Sequence, residues 1–181
     1  MKQRHTRRMI LISMLSAISV ILMFLKFPLP FLPPYLTVDF SDVPALIATF
    51  SFGPIAGLMV EIIKNLLNFF FNMSDPVGPV ANFLAGSSFL LASYYIYRKS
   101  RTHHMLILGL IIATLVMTIV LSTMNYFVLL PLYGMIMNLS DITNNLKVII
   151  TAGIIPFNII KGVLISIIFL LLYPRLSKAL K

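Results

Sequence analysis

The chain has 181 residues, 59% of them hydrophobic and 10% charged, with a net charge of +9 and no cysteine. Such a composition, with a mean hydropathy of +0.99, excludes an ordinary soluble domain and points to a membrane protein. The lack of cysteine removes disulfides, thiolate catalysis and cysteine metal sites, and the Lys and Arg residues cluster beside apolar spans as orienting charges rather than as a nucleic-acid surface.

After the basic stretch MKQRHTRR, the first apolar span runs from Met9 to Leu25. It is longer than a signal-peptide core and no Ala-x-Ala site follows, so it reads as a retained helix. On it, Ser13 and Ala17 form a small-xxx-small pair, with Ser16 and Ser19 flattening the surface nearby. Such a face suits close packing inside the bundle, or docking onto a separate membrane subunit.

Pro28, Pro30, Pro33 and Pro34 then prevent continuous helix and favour an extended outer loop that carries Tyr35, Thr37, Asp39 and Asp42. Ser41 or Asp42 is placed to cap the next helix, with Pro44 in its first turn. Thr37 and Asp39 lie farther from that cap. They are candidates to close over a bound solute, with turn chemistry as the competing role.

From Val43 to Phe71 the chain is apolar, with Gly53, Pro54 and Gly57 in the middle, so a helix break near Phe52 to Pro54 is expected. Charge placement agrees. Ten of the 14 basic residues fall into three groups: Lys2 to Arg8, Arg98 to Arg101 and Arg175 to Lys181. If all three groups stay in the cytoplasm, an even number of crossings separates each from the next, and the Val43 to Phe71 block crosses twice. The second crossing, Ile55 to Phe71, carries Glu61, Asn65, Asn68 and Asn72 at spacings that stack them on one helical face, with Lys64 a turn from Glu61. They form either a polar seam between helices or part of a solute site.

An outer loop, NMSDPVGP, precedes a fourth span from Val80 to Tyr97, where Tyr94, Tyr95 and Tyr97 beside Arg98 suggest an interfacial anchor. The fifth runs from Met105 to roughly Leu130, with Asn125 near its outer end and Pro131 beyond, and an outer segment NLSDITNNLK follows. The last, roughly Val148 to Tyr173, holds Pro156, Asn158 and Lys161. Lys161 has no carboxylate three or four residues away, so it needs a partner from another helix or a ligand. Asn125 lies at comparable depth and serves either as helix glue or as a ligand contact.

The expected fold is therefore an all-α integral membrane protein, a single domain over residues 1–181, built as one bundle of six transmembrane helices with both termini cytoplasmic. The sequence holds no G-x-x-x-x-G-K-[ST] loop to cradle ATP, no H-E-x-x-H and no G-x-S-x-G, and its three histidines lie outside the spans. Enzymatic chemistry is not expected.

The segments VDFSDVPALIATFSFGPIAG (Val38 to Gly57), IKNLLNFF (Ile63 to Phe70), NYFVLLPLY (Asn125 to Tyr133) and PFNIIKG (Pro156 to Gly162) resemble the substrate-binding subunits of energy-coupling factor vitamin transporters, specifically the riboflavin-specific type. The resemblance implies a vitamin held near the outer surface under the first loop, with flavin contacts at Thr37, Asn125, Asn158 and Lys161 and a backbone contact at Gly78. It implies no cofactor beyond riboflavin as transported ligand. A membrane coupling subunit and two cytoplasmic ATPases would supply energy, and the family's docking motif on the first helix corresponds to Ser13-x-x-x-Ala17. A self-sufficient small facilitator or secondary carrier is the alternative; inverted repeats would favour it, and none is evident.

Overall fold

The computed structural model describes residues 2–32, 36–72, 75–136 and 145–180, with side chains described over 6–176. Helix α1 (Lys2–Phe24) leads into a two-residue antiparallel ladder, β1 (Phe27–Pro28) against β2 (Thr37–Val38), with Phe27 opposite Val38 and Pro28 opposite Thr37. A proline is tolerated there because each strand of so small a ladder has a free edge. The expected extended loop is thus pinned at its base. Pro33, Pro34 and Tyr35 lie outside the described residues.

Helix α2 (Asp42–Phe52) and helix α3 (Pro54–Phe71) are separated by Gly53 alone. Gly53 has φ +99° and ψ 167°, a conformation that side-chain-bearing residues rarely adopt, and Pro54 starts α3 where its missing N–H costs nothing. The expected break is therefore observed. Beyond it, Gly57 lets the two helices touch, since a Cβ there would sit 2.9 Å from the Ala45 carbonyl oxygen.

Helix α4 (Val77–Tyr97) is followed by α5 (His103–Met124), whose start is capped by Thr102, the hydroxyl accepting from the Met105 amide at 3.3 Å. The helix then widens into a π turn (Asn125–Leu129) and continues as α6 (Leu130–Ile136). A second widening follows helix α7 (Leu146–Val148): a π turn (Ile149–Ile154) runs directly into α8 (Ile155–Leu180). Both wide turns end two residues before a proline, Pro131 and Pro156. A proline ring clashes with the carbonyl four residues back, and a wider turn relieves that clash without ending the helix. The fifth span therefore does not stop before Pro131, as expected, but runs on to Ile136. Most of the NLSDITNNLK segment lies outside the described residues.

The helices run up and down. At one end Arg8 donates to the Phe52 carbonyl at 2.6 Å, and Phe50 meets Tyr94, Tyr97, Phe169 and Tyr173. Tyr94 and Tyr97 are half-buried against Phe50, and Tyr95 alone of the three is exposed. At the opposite end Phe24 packs edge-on against Phe71, and the Tyr133 hydroxyl donates to Asp75 at 2.6 Å. The start of α1 and the later part of α8 share the first end.

The core contains Leu46, Val60, Phe89, Leu110, Met117, Ile165 and Phe169, while Ile62, Leu66, Ile111, Ile119, Ile167 and Leu171 face outward. An apolar exterior this extensive is what lipid contact requires. By length and composition four helical runs among the described residues are able to cross a membrane: Thr6–Phe24, Pro54–Phe71, His103–Ile136 and Leu146–Leu176. Asp42–Phe52 is a shorter apolar helix.

Candidate functional site

Four buried charged side chains meet between α2, α3 and α8: Asp42, Glu61, Lys64 and Lys161, each no more than 3% exposed. They form a closed ring with two amides. Lys64 pairs with Asp42 Oδ1 and, at 3.0 Å, with Glu61 Oε1. Asn65 Nδ2 donates to Glu61 Oε2 at 3.2 Å, and Asn82 Nδ2 donates to Asn65 Oδ1 at 3.2 Å. Lys161 Nζ donates to Asn82 Oδ1 at 2.7 Å and lies 3.2 Å from Asp42 Oδ2, which closes the circuit.

Two carboxylates and two ammoniums leave the ring without net charge, the arrangement in which buried ions are tolerated. The first loop is tied to it as well. Lys64 donates to Ser41 Oγ at 2.9 Å, Ser19 of α1 donates to the Ser41 carbonyl, and the Ser41 amide donates to Asp39 at 2.8 Å. Glu61 lies flat against α4 because residue 86 is glycine; a Cβ there would fall 2.6 Å from Glu61 Oε1.

Asp42 does not act as the expected cap. Ser41 is the N-cap residue and makes no side-chain cap bond, while the Asp42 carboxylate is committed to both lysines. Nor do Glu61, Asn65, Asn68 and Asn72 behave as one seam: Glu61 and Asn65 are buried, whereas Asn68 and Asn72 are half-buried.

Asn125 opens the first π turn, and Asn158 follows the second by one helical turn. Each is nearly buried, and each donates its Nδ2 to the carbonyl four residues back, Leu121 and Ile154, at 2.8 Å. Among the described residues neither Oδ1 has a hydrogen bond.

A family model described as "ECF transporter, substrate-specific component" matches residues 7–173. The chain belongs to the substrate-specific components of ECF transporters. A riboflavin transporter of Staphylococcus aureus (strain TCH60) is 68% identical over 181 residues, covering 100% of this chain and 96% of the relative. A Bacillus subtilis (strain 168) riboflavin transporter is 42% identical, covering 94% and 92% respectively. The solved structure titled "Structure and mechanism of the S component of a bacterial ECF transporter" superposes with a TM-score of 0.86 at 64% identity, over 98% of this chain and 99% of that one. An ECF substrate-specific component is a transport protein, not an enzyme.

In this ECF component the residues singled out from sequence fall at several places. Thr37 sits in the ladder opposite Pro28, Asp39 is buried and engaged by Ser41, and Lys161 joins the ring. The Gly78 amide donates to Asp75 Oδ1 at 2.9 Å. Ser13 and Ala17 are exposed, while Ser16 and Ser19 are buried and belong to the inner face, so the expected four-residue surface is split. Asn82 and the Asp75–Tyr133 pair were not anticipated. Their signal was an amide within the apolar run VANFLAG and an acid in the loop before α4, neither of which shows spacing toward a partner.

Proposed function

We propose that this chain is the riboflavin-binding component of an ATP-driven importer in the cell membrane. Its single domain crosses six times, with both termini cytoplasmic, and holds riboflavin near the extracellular side. The observation behind it is the end-to-end likeness, at 68% identity, to a protein named as a riboflavin transporter. The geometry supports it chemically. A flavin offers a flat apolar ring, carbonyl and imide edges and a hydroxylated tail, and apolar walls with few convergent polar groups suit such a molecule.

In this proposal Asn125, Asn158 and Lys161 contact the ligand from α5 and α8. Thr37 and Asp39 close the first loop over it, and Gly78 offers a backbone contact at the start of α4. The outward face of α1 around Ser13 and Ala17 docks on a membrane coupling subunit, to which two cytoplasmic ATPases supply energy; no cofactor takes part. The distribution of Lys and Arg supports the cytoplasmic placement of the termini.

Protein purified in detergent is expected to be yellow, or to quench the fluorescence of added riboflavin. A colourless preparation that leaves added riboflavin unquenched overturns the ligand assignment. Lys161→Ala is expected to weaken binding about tenfold or more, the worth of a hydrogen bond to a charged group, without changing helical circular dichroism. In liposomes holding this chain alone, no riboflavin should accumulate; accumulation there would establish the self-sufficient carrier instead.

A further inference from the structure

We infer that Asn82 and Asp42 are positioning residues that hold the Lys161 ammonium for the ligand, an inference that rests on the ligand-binding role proposed for Lys161. The two lysines of the ring are not equivalent. Lys64 has Asp42, Glu61 and the Ser41 hydroxyl around it, enough to engage all three of its N–H groups within the protein. Lys161 has two such partners among the described residues, the nearer being Asn82 Oδ1 at 2.7 Å. Asp42 Oδ2, 3.2 Å away, engages a second N–H as an ion pair, as Glu61 Oε1 does for Lys64.

An ammonium carries three N–H groups, so Lys161 retains one donor directed at no described residue. A buried charged donor left unsatisfied is costly, and a carbonyl or hydroxyl oxygen arriving from outside removes that cost. The ring leaves Lys161 in need of an acceptor of the kind a flavin edge presents.

Asn82 also controls the direction in which Lys161 points. Its Nδ2 is spent on Asn65 Oδ1, which is itself fixed through Nδ2 to Glu61. With the amide nitrogen turned toward α3, the amide oxygen has to face α8 and Lys161. Three helices therefore set the position of one ammonium, and Asp42 balances its charge from a fourth.

The experiment is a double-mutant cycle on the full-length protein, read as riboflavin affinity by fluorescence quenching. Asn82→Ala is expected to weaken binding about tenfold or more in the otherwise unaltered protein, and by less than about twofold when Lys161→Met is already present. Losses that add, or no loss in the unaltered background, overturn the positioning role. Should Asn82→Ala not be recovered folded, Asn82→Leu, similar in volume and without an acceptor, takes its place in the same cycle. Asn82→Asp, which keeps an oxygen toward Lys161, should bind better than Asn82→Ala; an equal loss would also overturn the inference. Unaltered protein that binds no riboflavin refutes the ligand itself, whereas binding with an additive cycle refutes only the positioning.

Discussion

Asp42 serves two ammoniums with one carboxylate, and this sharing makes it the least replaceable residue of the ring. Asp42→Asn leaves Lys64 and Lys161 with Glu61 as their only acid in the ring, a net buried positive charge. Breaking a buried pair from one side typically costs about 3–5 kcal/mol, and the variant is expected to lose stability of that order in detergent. Adding Lys161→Met should recover part of the loss by removing the orphaned charge. Thermal unfolding of the single and double variants tests both statements; an Asp42→Asn midpoint equal to that of the unaltered protein would show that the ion pairs contribute nothing net. The need of Lys161 for a partner on another helix was legible in the sequence, because no carboxylate lies a turn away on its own. Which residue answers that need was not. Asp42 sits in an ordinary capping position, and only the convergence of α2, α3 and α8 shows that two buried ammoniums outcompete a helix terminus for its oxygens.

At the level of helices, two glycines act for opposite reasons. Gly53 has nothing within 4 Å of where a Cβ would be, yet its φ of +99° is strained for any other residue, so Gly53→Ala should destabilise by about 1–3 kcal/mol through backbone strain alone. Gly86 has ordinary helical surroundings, but a Cβ there would fall 2.5 Å from the Glu61 carboxyl carbon. Gly86→Ala should therefore push α4 off α3, and its stability loss should shrink when Glu61→Ala is already present, whereas the Gly53→Ala loss should not. Equal behaviour of the two glycines in that background would contradict the assignment of one to strain and the other to contact. The break at Gly53-Pro54 was readable because proline and glycine have strong local preferences. The π turns were not: Pro131 and Pro156 signal a disturbance, but whether a helix stops or widens depends on whether neighbouring helices hold both halves in line.

For the whole molecule, the proposed docking surface is the outward face of α1. Ile10, Ser13, Ala17, Ile21 and Phe24 recur at helical spacing and are exposed, while Ile12, Leu15, Ser16 and Ser19 on the opposite face are buried against the bundle. Sequence alone did not separate these faces, since serine and alanine fit a packed seam as well as a free one; the tie of Ser19 to the Ser41 carbonyl decides which side faces in. Small residues on a lipid-facing stripe let another helix approach closely, and association in a membrane depends on such packing because lipid and leucine are equally apolar. Ala17→Phe fills that approach without touching the ring or the asparagines near the π turns. The variant is expected to bind riboflavin as the unaltered protein does, yet to lose most uptake in cells that supply the coupling subunit and ATPases. Uptake at the unaltered level would remove α1 as the docking face, and lost binding would show that Ala17 supports the bundle instead. The outcome expected here, binding kept and uptake lost, arises only if the ligand site and the energised contact occupy separate faces of one bundle.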